Sequence, residues 1–182
     1  MLNIGIDVDL TLLDPICCQG GWQDWLEERS IYYYPKGSLT DYYIAGYYPD
    51  VEDPLAFWSQ ENLYSQLQPY KQAKEVIERL SDKHNIFFIS YCKKGHFGGK
   101  VDWIKKTFNI PKDRFHFAAT KQKHMCAVDV MIDDRADYLI KFGGSVLKML
   151  YKTNYSQDVE TIGMTLVDDW DSIGKILEND RA

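Results

Sequence analysis

The pattern of apolar and polar residues predicts alternating strands and helices along most of the chain. The mainly apolar residues 2–8 predict one buried strand, and the apolar run at 86–91 predicts a second. Apolar residues recur at helical spacing over 73–80 and 97–108. Further strands are predicted at 115–118, 128–132, 145–150 and 164–167, and further helices near 135–142 and from Trp170. This alternation is typical of an α/β fold with a mostly parallel sheet flanked by helices.

The stretch between the first strand and the first long helix has a different composition. Tyr and Trp recur there among Pro and Gly, and turn signals such as Pro35-Lys36-Gly37 interrupt any regular period. Helices are predicted at 16–29 and at 55–63, the second with Asp53 as its N-cap. We expect residues 15–70 to form a small, mainly helical cap, inserted into an α/β core of residues 1–14 and 71–182.

Composition narrows the class of protein. The chain has 182 residues, 45% hydrophobic and 26% charged, which suits one globular domain with an insertion. The net charge is −6, and the chain shows no basic stripe of the kind that binds long nucleic acids. No run approaches the roughly 20 apolar residues of a membrane span. No signal peptide is recognised, so a cytoplasmic location is predicted. Reduced thiols are expected for the four cysteines, Cys17, Cys18, Cys92 and Cys126.

Polar residues stand where predicted strands end. Asp7 and Asp9 follow the first strand, Ser90 ends the second, and Asp133-Asp134 end a later one. Open parallel sheets bind ligands beyond the carboxyl ends of their strands. Clustered carboxylates repel one another, and a divalent cation relieves that repulsion. Because Mg²⁺ prefers oxygen ligands and substrate phosphate, these positions predict a phosphoryl-transfer site.

Each strand-end residue has a part in phosphate-ester hydrolysis, which needs a nucleophile, neutralised phosphoryl oxygens and a proton for the leaving oxygen. Asp7 fits the nucleophile, forming an aspartyl-phosphate. Asp9 fits the general acid that protonates the leaving oxygen and later activates water. Thr11 is predicted to hold the loop by side-chain to backbone bonding, and Ser90 to bind phosphate oxygens.

Lysines near these positions can balance the acids. Lys121 and Lys123 both lie just before the strand that ends in the acidic pair, and spacing alone leaves either as the phosphate ligand. Lys93, Lys94 and Lys100 follow the second strand. Two interpretations of that cluster stay open, phosphate attraction and a solvated helix face.

The complete set resembles the haloacid dehalogenase superfamily, and most closely its 5′(3′)-deoxyribonucleotidases. Shared features are D-x-D-x-T, a Ser after the second strand, a Lys and an acidic pair. In that family the Lys precedes the first acid of the pair by ten residues, which selects Lys123. The resemblance implies that Asp7 is the nucleophile and Asp9 the acid/base. It also implies Mg²⁺ held by Asp7, the Asp9 main-chain carbonyl and one acid of the pair, Asp134 in preference to Asp133.

The resemblance also assigns substrate contacts. Ser90 and Lys123 would bind the phosphoryl group, while Trp58 and Tyr64 of the cap would face the nucleobase. Tyr91 is expected to be a further substrate-binding residue. The chain departs from the family at three places, which affect base preference more than catalysis. Leu10 replaces a Gly, Pro15 replaces a base-stacking Phe, and Tyr91-Cys92 replaces Ser-Pro.

The sequence thus predicts a Mg²⁺-dependent phosphatase acting on nucleoside 5′-monophosphates, deoxyribonucleotides above all. Two alternatives remain. One is a phosphatase for another monoester, such as a sugar phosphate or a polynucleotide 3′-phosphate. The other is a non-catalytic module that binds nucleotide or Mg²⁺. The sequence leaves the oligomeric state open, a homodimer included.

Overall fold

Six parallel strands form the centre of the protein. The computed structural model describes residues 1–93, 95–155 and 161–179. The strands lie side by side in the order β3-β2-β1-β4-β5-β6, and the predicted α/β fold class is confirmed. They comprise β1 (Asn3–Ile6), β2 (Asn85–Ser90), β3 (Phe115–Ala119), β4 (Val130–Asp133), β5 (Leu147–Tyr151) and β6 (Thr165–Val167).

Within the described ranges, five α-helices accompany the sheet. They are α1 (Trp22–Glu27), α2 (Ala73–Ser81), α3 (His96–Thr107), α4 (Ala136–Leu139) and α5 (Trp170–Asn179). Helix α2 buries the predicted stripe, including Val76, Ile77 and Leu80, because these positions share one helical face. Helix α5 begins beside Asp169, whose carboxylate accepts the Ser172 N–H at 2.6 Å. None of the helices in the described ranges is long and apolar enough to cross a membrane.

The order of the strands reverses at β1. From β1 the chain moves outward through β2 and β3, then returns to place β4 on the other side of β1. The central strands β1 and β4 end at the same edge of the sheet, because the Asp7 N–H donates to the Ile132 carbonyl at 2.9 Å. Gly5 permits close packing there, because a Cβ at this residue would lie 2.8 Å from Met131 Sδ. Such a reversal creates a crevice at the carboxyl ends of the strands.

The segment between β1 and α2 contains α1 and three 3₁₀ helices, at Ile44–Tyr47, Ala56–Ser59 and Leu63–Gln66. The long helix predicted at 16–29 is wrong at its start. The Asp14 carboxylate accepts the N–H groups of Ile16 and Cys17, at 2.8 and 3.0 Å, and fixes a turn. Gly20 then takes a left-handed φ of 72°, so the helix begins only at Trp22. The predicted helix at 55–63 is likewise divided into two 3₁₀ helices.

Aromatic rings hold this segment together. Trp22 and Trp58 meet edge to face with centroids 5.4 Å apart, and Phe57 packs on Trp58 at 5.0 Å. Tyr34 and Tyr48 make a similar contact at 5.4 Å. Most of these rings therefore form a local core. The limits of the cap at 15–70 stay a prediction.

Candidate active site

The acidic cluster lies at the crevice between β1 and β4. Asp7 follows β1, Asp133 ends β4, and Asp134 is the next residue. One carboxylate oxygen from each lies within 4.8 Å of the others, and all three residues are buried. Three buried carboxylates at such spacing are a suitable oxygen donor set for a divalent cation.

Lys123 partly neutralises the cluster from the 3₁₀ helix Lys123–Met125. Its Nζ lies 2.9 Å from Asp7 Oδ1 and donates to Asp133 Oδ2 at 2.7 Å. Burial lowers the pKa of Lys123, but the charges of Asp7 and Asp133 outweigh it and leave the pKa above its usual value. The ammonium therefore stays charged beside the predicted nucleophile. Of the two lysines that the spacing left open, Lys123 is the one in the cluster.

The two acids of the pair have different surroundings. Asp133 accepts hydrogen bonds on both oxygens, from Lys123 and from the Arg135 N–H at 3.0 Å. Asp134 accepts one from the Tyr42 hydroxyl, on Oδ2 at 3.0 Å. Burial and the neighbouring charges of Asp133 and Asp7 raise the pKa of Asp134 well above its usual value. Without a cation, a negative charge on Asp134 is therefore costly.

Asp9 has a partner that the sequence did not single out. Lys100 of α3 is buried, and its Nζ donates to Asp9 Oδ2 at 2.7 Å. The same nitrogen donates to Ser90 Oγ at 3.0 Å and to the Tyr91 carbonyl at 3.2 Å. The solvated-face interpretation is thus wrong for Lys100. A signal was present, because Lys100 lies three residues before the buried Trp103 and so shares its apolar helix face.

Tyr64 reaches Asp9 from the 3₁₀ helix Leu63–Gln66. Its hydroxyl donates to Asp9 Oδ1 at 2.8 Å, and Lys100 Nζ lies 4.8 Å from the centre of its ring. Burial and the charge of Asp9 raise the pKa of Tyr64 well above its usual value, so the phenol stays protonated. Trp58 and Tyr64 are both predicted to face a nucleobase. The Trp58 ring packs on Trp22 and Phe57, and its contact with a base stays a prediction.

The loop after Asp7 folds back on itself. The Leu10 N–H donates to Leu13, and the Leu12 N–H donates to Val8. Leu10 takes a left-handed φ of 63°, a conformation that favours Gly and costs a side chain about 1–3 kcal/mol. A Gly at this position, as the family resemblance implies, would adopt the same φ without that cost. Within the described ranges the buried Thr11 hydroxyl has no hydrogen-bond partner, and its loop-structuring role stays a prediction. The Thr11 carbonyl instead accepts the Trp170 indole N–H at 3.0 Å.

A cleft of about 220 Å³ opens over the cluster. Tyr91 lies at its mouth, 47% exposed, with Lys121 Nζ 4.4 Å from the centre of its ring. The cleft joins most of the predicted site residues, and its lining consists of Asp7, Asp9, Leu10, Tyr42, Ser90, Tyr91, Lys123, Asp134, Arg135 and Tyr138.

The fold is similar to that of a haloacid dehalogenase-like hydrolase. A haloacid dehalogenase-like family hydrolase from Xanthomonas campestris has a similar fold, with a TM-score of 0.59 and 10% identity, over 98% of this chain and 95% of that one. The chain belongs to the family described as 5′ nucleotidase, deoxy (pyrimidine), cytosolic type C, whose model matches residues 13–181. A nucleotidase of Clostridium acetobutylicum is 25% identical over 190 residues, covering 97% of this chain and 94% of that protein.

Membership of this family makes the protein a phosphoric monoester hydrolase of the 5′-nucleotidase kind. The matched range includes Ser90, Lys123 and the acidic pair. It begins just after Asp7 and Asp9, whose place in the site rests on the geometry described above. The predicted relationship and enzyme class are confirmed.

Proposed function

We propose that the protein is a Mg²⁺-dependent phosphatase of nucleoside 5′-monophosphates, with deoxyribonucleotides as its preferred class, acting through an aspartyl-phosphate on Asp7. The proposal rests on one observation: Asp7, Lys123 and the acidic pair form one buried cluster below an open cleft. A phosphate in that cleft would meet a carboxylate nucleophile, a fixed ammonium and an oxygen site for a cation. Family membership supports a nucleotide as the phosphate ester.

The donor set fits a hard divalent cation. Asp7 and Asp134 would supply side-chain oxygens, and the Asp9 main-chain carbonyl a third ligand. Asp134 is favoured over Asp133, because both oxygens of Asp133 already accept hydrogen bonds. When bound, Mg²⁺ would neutralise phosphoryl oxygens and allow Asp7 and the substrate phosphate to approach each other.

Other residues of the chain would bind the phosphoryl group and transfer the protons. The phosphoryl group would lie against Lys123 and the Ser90 hydroxyl, which donate to its oxygens. An oxygen of Asp7 attacks phosphorus while the bond to the sugar oxygen breaks, and Asp9, which enters this step protonated, gives that oxygen its proton and becomes a carboxylate. In the second half Asp9 takes a proton from water, whose oxygen attacks phosphorus and releases Asp7. Inorganic phosphate and a nucleoside are the products.

The cleft volume supports a small substrate. About 220 Å³ is less than the roughly 300–1,000 Å³ of pockets that enclose a whole ligand. Phosphate and sugar would fill it, and the base would lie at the mouth beside Tyr91. A cytoplasmic location and small-molecule substrates remain part of the proposal.

The test is a substrate panel with Mg²⁺ and with EDTA. It compares deoxyribonucleoside and ribonucleoside 5′-monophosphates, 3′-monophosphates, sugar phosphates and 3′-phosphorylated oligonucleotides. The highest kcat/KM is expected for a deoxyribonucleoside 5′-monophosphate, with phosphate release abolished by EDTA and by Asp7→Asn in a folded protein. Full activity of Asp7→Asn would rule out the mechanism. Preference for a sugar phosphate or an oligonucleotide would replace the proposed substrate, and tight nucleotide binding without turnover would indicate a binding module.

A further inference from the structure

Asp9 is held at both oxygens by two different parts of the chain. Oδ2 accepts from Lys100 of helix α3 at 2.7 Å, and Oδ1 accepts from the Tyr64 hydroxyl at 2.8 Å. The Asp9 side chain is 31% exposed toward the cleft, whereas Lys100 and Tyr64 are buried. The carboxylate is therefore open to substrate while both of its donors lie away from solvent.

Resting on the proposed function, we propose that Tyr64 is a positioning residue, whose hydroxyl orients the Asp9 carboxylate for proton transfer to the leaving sugar oxygen. Each carboxylate oxygen has two lone-pair sites, so one donor on each leaves a site free for the transferred proton. Two donors on opposite oxygens fix the plane of the carboxylate. Lys100 alone would leave it free to rotate.

The setting of Tyr64 suits this task. Its ring packs against His96 and Trp103 of α3, with centroid distances of 6.2 and 6.3 Å, so the hydroxyl has little freedom. Tyr64 lies 55 residues after Asp9, in the segment between β1 and α2. This segment thereby contributes to the chemistry as well as to the shape of the cleft.

A positioning role makes a specific kinetic prediction. A deoxyribonucleoside 5′-monophosphate releases an alkoxide that needs a proton, whereas p-nitrophenyl phosphate releases a stable nitrophenolate that needs none. A positioned general acid contributes roughly 10²–10⁴-fold, and Tyr64→Phe keeps Lys100 on Asp9, so we expect about a tenfold fall in kcat/KM for dUMP, which reports only the half-reaction that releases the leaving group. The fall for p-nitrophenyl phosphate should be several-fold smaller. A loss of packing alone would lower both alike.

The experiment measures kcat and KM for both substrates in wild type, Tyr64→Phe, Asp9→Asn and the double variant. Tyr48→Phe is the matched control, because its hydroxyl donates to Glu27 at 3.1 Å, outside the cleft lining. Thermal unfolding of each variant shows whether it is folded. If Tyr64 acts through Asp9, adding Tyr64→Phe to Asp9→Asn causes no further loss.

The outcomes separate the inference from the proposed function. If Asp9→Asn lowers kcat/KM selectively for dUMP but Tyr64→Phe lowers kcat/KM equally for both substrates, Tyr64 has only a packing role and the inference is wrong. The same holds if the two losses are additive in the double variant. If Asp9→Asn itself shows no dependence on the leaving group, the assignment of Asp9 as acid/base is wrong, and the inference falls with it.

Discussion

Lys100 Nζ lies 2.7 Å from Asp9 Oδ2, although 91 residues separate the two in sequence. The contact links the loop after β1 to helix α3, and the same ammonium holds Ser90 Oγ and the Tyr91 carbonyl after β2. One buried cation therefore fixes two strand-end loops relative to each other. Two buried lysines therefore serve the site: Lys123 contacts Asp7 and lines the cleft, and Lys100 contacts Asp9 from behind it.

Replacing Lys100 should lower catalytic activity. Lys100→Met keeps the length of the side chain but removes the donor to Asp9 and Ser90, and with it a positive charge near the substrate phosphate. We expect kcat/KM for a nucleoside monophosphate to fall about 100-fold, as for other lost preorganised donors. Steady-state kinetics measure it, with Lys106→Met on the exposed face of α3 as control. A change within twofold in Lys100→Met would contradict this role.

Asp134→Asn should stabilise the metal-free protein. The raised pKa of Asp134 means that the folded state holds its proton more tightly than the unfolded state. That contribution to stability is present below the unfolded pKa, near 3.9, and is lost as pH rises toward the folded pKa. In EDTA, wild type should therefore lose stability relative to Asp134→Asn as pH rises above about 4.

Thermal unfolding at several pH values in EDTA measures this difference, and repeating it in Mg²⁺ tests the cation. Mg²⁺ should raise the melting temperature of wild type and have little effect on Asp134→Asn, since the variant lacks a charged ligand. Asp171→Asn, an exposed acid on α5, is the control and should respond to Mg²⁺ as wild type does. An equal Mg²⁺ response in Asp134→Asn would show that Asp134 is not a ligand.

Tyr42→Phe should weaken the binding of Mg²⁺. The Tyr42 hydroxyl donates to Asp134 Oδ2 at 3.0 Å and so orients a predicted metal ligand. Losing a hydrogen bond that orients a ligand costs roughly 10–100-fold in metal affinity. Calorimetric titration of the substrate-free protein with Mg²⁺ measures the change. Tyr47→Phe is the control, because its hydroxyl donates to Asp41 on the surface, at 2.7 Å; equal affinities in both variants would refute the role of Tyr42.

Gly5→Ala should destabilise the central strand. The added Cβ would lie 2.8 Å from Met131 Sδ and 3.1 Å from an Ile89 methyl group, so β1 and β4 or their side chains must shift. Overpacking of this kind costs about 1–3 kcal/mol, which urea unfolding would detect. Gly46→Ala is the control, because no atom lies within 4 Å of its added Cβ. Equal stability of the two variants would show that the packing at Gly5 has room to relax.

Local patterns predicted the elements that have a strong period. The stripe of α2 and the apolar runs of β1 and β2 are where the sequence placed them, because burial of one face determines both. The cap was harder. Asp14 and Gly20 divide an apparently continuous helix by a side-chain bond and a left-handed turn, neither of which has a hydrophobic period.

The sequence by itself determined the α/β fold class, the family and the members of the acidic cluster, since strand ends and motif order are encoded locally. The tertiary structure alone decided that Lys100 and Tyr64 both reach Asp9. It also showed that Asp133 accepts a hydrogen bond from Lys123, while Asp134 lines the cleft. The physical reason is distance along the chain. Packing of α3 and the Leu63–Gln66 helix against the strand ends brings these groups within hydrogen-bond range, and no local pattern records that packing.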